Sequence, residues 1–147
     1  MSPLLTIRIQ SEPFDAAAEI EALSRLGADV GAVASFIGFC RSEGGKLSAL
    51  ELEHYPGMAD EEIGSVVAEA ASRWPLFGVT VIHRHGVMRP GDGIVLVVTA
   101  SSHRTASFEA ANFVMDYLKT RAPFWKKEQT PGAAQSARWV DAQIGRA

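Results

Sequence analysis

The chain has one cysteine, Cys40, among its 147 residues. That count excludes an internal disulfide and leaves too few sulfur ligands for a zinc ribbon or an iron–sulfur cluster, so a reducing cytoplasm fits. Long hydrophobic runs are missing as well: no window approaches the roughly 20 apolar residues needed to span a bilayer, and no membrane association is expected. The opening stretch, MSPLLTIRIQSEPF, lacks a basic region ahead of its few apolar residues and reads as neither signal peptide nor anchor. There are no internal repeats and no low-complexity linkers. Excess positive charge is absent too. A net charge of -3 and an isoelectric point near 5.8 argue against a general nucleic-acid binder, although a local basic patch can still hold one phosphorylated ligand. What the chain does have is apolar material, 47% of its residues, enough for one domain over residues 1–147 to bury a core without staples.

Hydrophobic periodicity divides the chain into elements. Leu4–Gln10 (LLTIRIQ) alternates like a half-buried strand, and residues 13–26 follow at helical spacing, closed by Gly27. Residues 31–41 (GAVASFIGFCR) are β-branched and aromatic, which predicts a central strand running into the glycine-rich loop 42–46. Residues 47–54 alternate again until Pro56-Gly57 breaks them. Residues 58–74 read as a helix with Ile63, Val66, Val67 and Ala70 facing inward. Strands over 79–86 and 94–101 flank the turn RPGD at 89–92, a hairpin signature. Ser102 is placed to cap a helix from His103 to about Lys119, and short extended pieces at 124–128 and 137–140 precede a tail expected to fray from about 141 to 147. This order predicts an α+β fold, a mixed or antiparallel sheet with packed helices.

The basic residues concentrate in YLKTRAPFWKKE, residues 117–128, where Lys119, Arg121, Lys126 and Lys127 precede the first acid, Glu128. Pro123 and the pair Phe124-Trp125 hold these cations on a stiff backbone beside apolar surface, the pattern of a preformed anion site. A helix C-terminus attracts cations through its dipole, which accounts for Lys119 and Arg121 but not for the pair beyond the proline. His103-Arg104 stands where a strand hands over to a helix, a position where backbone N–H groups favour phosphate or carboxylate. On the helical wheel Arg104, Phe108, Met115 and Lys119 share a narrow arc, yet Arg104 and Lys119 lie roughly 22 Å apart along the axis. One small ligand cannot bridge that. Either Phe108 and Met115 are ordinary core and Arg104 snorkels, or a second copy packs antiparallel and brings its Arg104 beside Lys119 in a two-fold dimer.

Arg41 closes the strongest strand ahead of the glycine-rich loop, a usual place for a functional cation. Strand alternation aims Cys40 to the opposite face, and a free cysteine is most often a small buried hydrophobe. His83 and His85, at i and i+2, have metal-binding spacing but no third ligand nearby, so no metal site is expected.

HYPGMA (54–59), RWPL (73–76), VIHRHG (81–86), PGD (90–92), SSHRTASFEA (101–110) and MDYLKTRAPFWKKE (115–128), with the late RWV at 138–140, closely resemble the catalytic, or large, subunit of molybdopterin synthase, the MoaE family. The resemblance runs from Leu4 to Trp139 with motifs in the family's order and spacing. It implies an α/β-hammerhead-like fold and a sulfurtransferase that converts cyclic pyranopterin monophosphate (precursor Z) into the dithiolene of molybdopterin. It implies no permanently bound cofactor. Sulfur would arrive as a thiocarboxylate on the C-terminal Gly-Gly of a small ubiquitin-like carrier subunit, within a heterotetramer built on a homodimer of the large subunit. Matched position by position, the family's pocket falls on Phe39, Cys40 and Arg41, on His103 and Arg104 from the opposite protomer, on Lys119, on Lys126, Lys127 and Glu128, and on Arg138. Phe39-Cys40 departs from the commoner members, which carry a small-to-basic residue and valine there.

The implied chemistry joins two anions, so it requires concentrated positive charge, which Arg41, Arg104, Lys126 and Lys127 supply. Lys119 is the candidate reactive group: neighbouring cations disfavour its protonated form, leaving an amine able to move a proton or attack the carrier's acyl terminus. Lys126 is expected to steady the oxyanion. Two sulfurs and one cysteine imply an external sulfur supply. The extended segment around Phe124 is expected to wall the channel for the carrier's tail, with Phe124 or Trp125 lining it. A non-catalytic module binding a phosphorylated pterin, a nucleotide or an acidic tail is the alternative reading of the same cations.

Overall fold

A computed structural model describes residues 2–130 and, by their backbone, 133–141. Eight strands and three helices are described: β1 Leu4–Gln10, α1 Ala16–Ser24, β2 Ala32–Phe39, β3 Ala49–His54, α2 Met58–Arg73, β4 Leu76–Arg84, β5 Gly86–Met88, β6 Gly93–Ser101, α3 Arg104–Thr120, β7 Phe124–Thr130 and β8 Ala133–Asp141. The strands form two four-stranded sheets in the orders β1-β4-β6-β2 and β5-β3-β7-β8. In the first, β1 runs parallel to β4 while β4, β6 and β2 pair antiparallel; the second is antiparallel throughout. This is the mixed α+β architecture the periodicity predicts.

Strands β4 and β6 read as near-continuous apolar runs because both faces of their sheet are covered. Val79, Val81, Val95 and Val97 face α2 and α3, meeting Ile63, Val67, Val114 and Leu118. Their neighbours Ile82, Leu96, Val98 and Ala100 face α1, meeting Leu23. A third cluster, with Cys40, Leu47, Leu50, Leu52 and Met88, joins the second sheet to the far end of the first.

Three sequence expectations shift. The first helix begins at Ala16 because the Asp15 carboxylate accepts the Ala18 N–H at 3.1 Å. Ser102 does not cap α3: His103 holds the cap position without a side-chain bond, and the neighbouring Ser101 hydroxyl donates to the His103 carbonyl. The expected hairpin pairs as β4 with β6, but its connection detours through β5, which Gly86 (φ 97°) swings out of the first sheet to pair with β3. A three-residue strand in the other sheet carries no periodicity of its own. Residues 142–147 of the expected tail lie outside the described residues, whereas Asp141 ends β8.

Candidate active site

The register of α3 is set at its first turns by a buried hydroxyl network. Thr99 Oγ1 donates to the Ser107 carbonyl at 2.7 Å, Ser107 Oγ donates to the Ala32 carbonyl at 3.1 Å, and Ser101 and Ser107 hydroxyls meet at 2.8 Å. With its start pinned to β2 and β6, the helix must deliver Lys119 at a defined place near the opposite end of the sheet. At that end Tyr117 Oη donates to Glu62 Oε2 of α2 at 3.0 Å, and burial with this bond pushes the phenol up to about 12. Pro123 then prevents further helix, and the chain turns into β7, where strict alternation buries Phe124, Lys126 and Glu128 and leaves Trp125, Lys127 and Gln129 half-buried on the other face.

Arg41 arrives from the end of β2. Two bonds clamp that end to the turn before β6, Cys40 N–H to the Asp92 carbonyl and Gly91 N–H to the Cys40 carbonyl, both 2.8 Å. Beyond it Glu43, Gly44 and Gly45 all take positive φ, so the loop curls back and Glu43 Oε1 receives the Arg41 guanidinium at 3.2 Å. Gly38 lies on the cavity floor, where a Cβ would stand 2.8 Å from Val95 Cγ1.

These elements enclose a cavity of about 360 Å³. It is lined by the exposed Arg41 and Lys119, by the buried Lys126 and by apolar walls that include Phe39, Leu52, Met115 and Phe124. An apolar lining beside three cations suits a ring compound bearing an anionic group. Lys126 is only 7% exposed, whereas Lys119 stands open on the last turn of α3. Sequence reasoning missed His83, which lines the same cavity from β4 and stacks on Phe124 with ring centroids 3.8 Å apart. Its sequence signals were the VIHRHG motif and the His83/His85 pair, and that pair divides: β4 ends at Arg84, and His85 instead meets His54 at 4.7 Å. Among the described residues no three His, Cys, Asp or Glu groups gather as a metal site.

The other residues matched to the pocket lie elsewhere in this protomer. Cys40 is buried in the third core cluster, with its thiol pushed up chiefly by burial, and with Glu128 lines a smaller hollow beside Arg41 and Lys126. An inert thiol of that kind does not suit a sulfur carrier. Lys127 projects to the opposite face of β7. His103 and Arg104 are exposed at the far end of α3, the roughly 22 Å that helix geometry requires. The side chain of Arg138 is outside the described residues; its backbone pairs with Glu128. Trp125 does not line the cavity and instead packs edge-on against Tyr55 at 4.5 Å. Strand β7 is paired on both sides, by β3 and β8, so it walls the cavity with side chains and offers no free edge to an incoming tail.

Phe108 and Met115 do not behave alike. Met115 is core, but Phe108 is 65% exposed beside Phe36 in a second hollow of about 290 Å³ between β2 and α3, which Lys119 also borders. Phe39 is 56% exposed along the same open edge strand.

Burial of His83 makes the protein acid-sensitive. Desolvation is the main cause holding its pKa down, to about 4 from the ordinary 6.5. Between those values the unfolded chain binds the proton and the folded one does not, so stability is full above pH 6.5 and falls as pH drops toward 4. The loss reaches about 3 kcal/mol at the lower limit. Urea midpoints at pH 7.5 and pH 5 are expected to differ more for the wild type than for His83→Phe; equal slopes would remove His83 from this role.

The fold and cavity define an α+β domain with a cation-bearing apolar cavity between a helix terminus and two sheets. The sequence profile of the MoaE protein family matches residues 9–121. The chain is 66% identical over 138 residues to the molybdopterin synthase catalytic subunit of Mesorhizobium japonicum, covering 94% of this chain and 86% of that one. The solved structure of molybdopterin cofactor biosynthesis protein E from Burkholderia multivorans is 48% identical with a TM-score of 0.82, covering 95% of this chain and 90% of that one. A complex of subunits 1 and 2 of molybdopterin-converting factor from Helicobacter pylori shares the fold with a TM-score of 0.71 at 18% identity, over 95% of this chain and 90% of that one. The chain belongs to the MoaE family.

Proposed function

We propose that this chain is the catalytic subunit of a molybdopterin synthase, acting in molybdenum cofactor biosynthesis in the cytoplasm. It converts cyclic pyranopterin monophosphate to the dithiolene of molybdopterin with sulfur from a small carrier subunit's C-terminal thiocarboxylate. The observation that carries this reading is the meeting of Arg41, Lys119 and Lys126, from three different elements, over one apolar cavity in a chain of this family. Substrate phosphate and thiocarboxylate repel each other, and the three cations offset that repulsion. Arg41 suits the phosphate. As the carrier's sulfur bonds to a substrate carbon and an oxygen leaves, the Lys119 amine moves the proton. Lys126, buried in the wall, stabilises the oxyanion when water then frees the carrier as a carboxylate. Two such cycles install two sulfurs. Incubating the purified chain with thiocarboxylated carrier and cyclic pyranopterin monophosphate is expected to yield the dithiolene; no product would overturn the reading.

The working unit in this reading is a homodimer within a heterotetramer. The exposed Phe108 and Phe36 lie together along the open edge of β2, and an antiparallel copy over this face carries its own His103 and Arg104 toward Lys119. Phe108→Asp is expected to weaken self-association at least tenfold in sedimentation velocity, since it buries a charge in that face. An unchanged dimer would place the interface elsewhere.

A further inference from the structure

The cavity's three charged side chains can only donate hydrogen bonds, because Lys and Arg carry no acceptor. A fused heterocycle of the pterin type presents ring and amino N–H groups as well as acceptors, and burying such a donor without a partner is costly. Among the described lining residues, His83 is the single side chain with a nitrogen or oxygen able to accept. The tautomer follows from its neighbour. His83 Nδ1 lies 2.9 Å from the Arg84 carbonyl, which can only accept, so Nδ1 bears the hydrogen and Nε2 carries the lone pair. Among the described residues Nε2 has no hydrogen-bond partner, and no buried side-chain nitrogen or oxygen is left unpaired. Nε2 is therefore the ring nitrogen left free to meet solvent or a ligand, on a residue that lines the cavity.

Two contacts hold the ring in place. Phe124 stacks against it with planes 14° apart. The adjacent Arg84 ties the end of β4 to neighbouring backbone: Nε and Nη2 donate to the Ser11 carbonyl at 3.1 and 2.9 Å, and Nη1 donates to the Gly93 carbonyl at 3.3 Å. Burial keeps the ring neutral at physiological pH, so the lone pair is available there.

We propose that His83 is a specificity-determining residue of the cavity, its Nε2 accepting a hydrogen bond from an N–H of the substrate's heterocycle while the cations hold the phosphate. This rests on the pterin reading of the cavity and assigns the end of the substrate opposite its charge. The test is titration calorimetry of the full chain with 6-hydroxymethylpterin monophosphate and, separately, inorganic phosphate. His83→Phe keeps a flat ring against Phe124 but has no acceptor; His83→Gln restores one. Expected for His83→Phe is at least a tenfold loss of pterin phosphate affinity, with inorganic phosphate binding within about twofold of wild type. His83→Gln should recover part of the loss. In turnover assays the defect should fall on KM more than on kcat. Unchanged pterin binding in His83→Phe, equal loss of both ligands, or no recovery in His83→Gln would each overturn the assignment. A wild-type protein that binds inorganic phosphate as tightly as the pterin phosphate would instead overturn the pterin reading itself.

Discussion

Lys119→Ala is expected to reduce dithiolene formation by about a thousandfold, the scale on which removal of a proton-transferring or nucleophilic group is felt. Pterin phosphate binding should weaken by less than tenfold, because Arg41 and Lys126 still face the ligand from β2 and β7. Lys119→Arg separates charge from chemistry. A guanidinium keeps the positive charge but neither releases a proton nor attacks an acyl carbon at neutral pH, so this variant should be nearly as impaired. Single-turnover assays with preloaded carrier measure the effect directly. Full activity in Lys119→Arg would mean that the amine supplies only field, and the proton would have to move through Lys126 or water.

The second large effect is a recovery. Arg104→Ala and Lys119→Ala should each be severely impaired alone, the first because the partner protomer's site loses a cation. Mixed under conditions that exchange subunits, half of the dimers combine one copy of each. Every such dimer has one site with both residues intact and one with neither, so activity should return to about a quarter of wild type. The prediction follows from geometry: Arg104 and Lys119 occupy opposite ends of a 17-residue helix whose exposed face carries Phe108. Verified exchange without recovery would make each protomer's site self-contained.

The residues themselves made much of this legible. The strand read over Leu4–Gln10 has the observed bounds, although its burial does not alternate, and the helix read over 58–74 matches Met58–Arg73 with Ile63, Val66, Val67 and Ala70 buried, because helical spacing reports a local backbone period against one buried face. The basic run at 117–128 named Lys119 and Lys126, and the position of Arg41 at a strand end before a glycine-rich loop named the third cation. Cys40 and Arg41, expected on opposite faces of a strand, instead follow the end of β2: the thiol is buried in the core, both residues line the small hollow, and Arg41 alone of the two reaches the main cavity. The detour through β5 was not legible, nor was the choice between Phe124 and Trp125 as the cavity's aromatic wall. Both depend on how β3, β5 and β7 pair across large sequence separations.

Sequence alone determined the inventory of this protein: one domain without a staple, α+β elements in a set order, cations gathered at the end of one helix and one strand, and the family to which those motifs belong. Tertiary structure alone decided which of those groups share a space. Burial faces are local properties of a strand or helix, but a cavity exists only where faces from distant segments are brought together. That is why His83, weighed in the sequence only for metal-binding spacing, lines the site, while Lys127, adjacent to Lys126 in the chain, looks away from it.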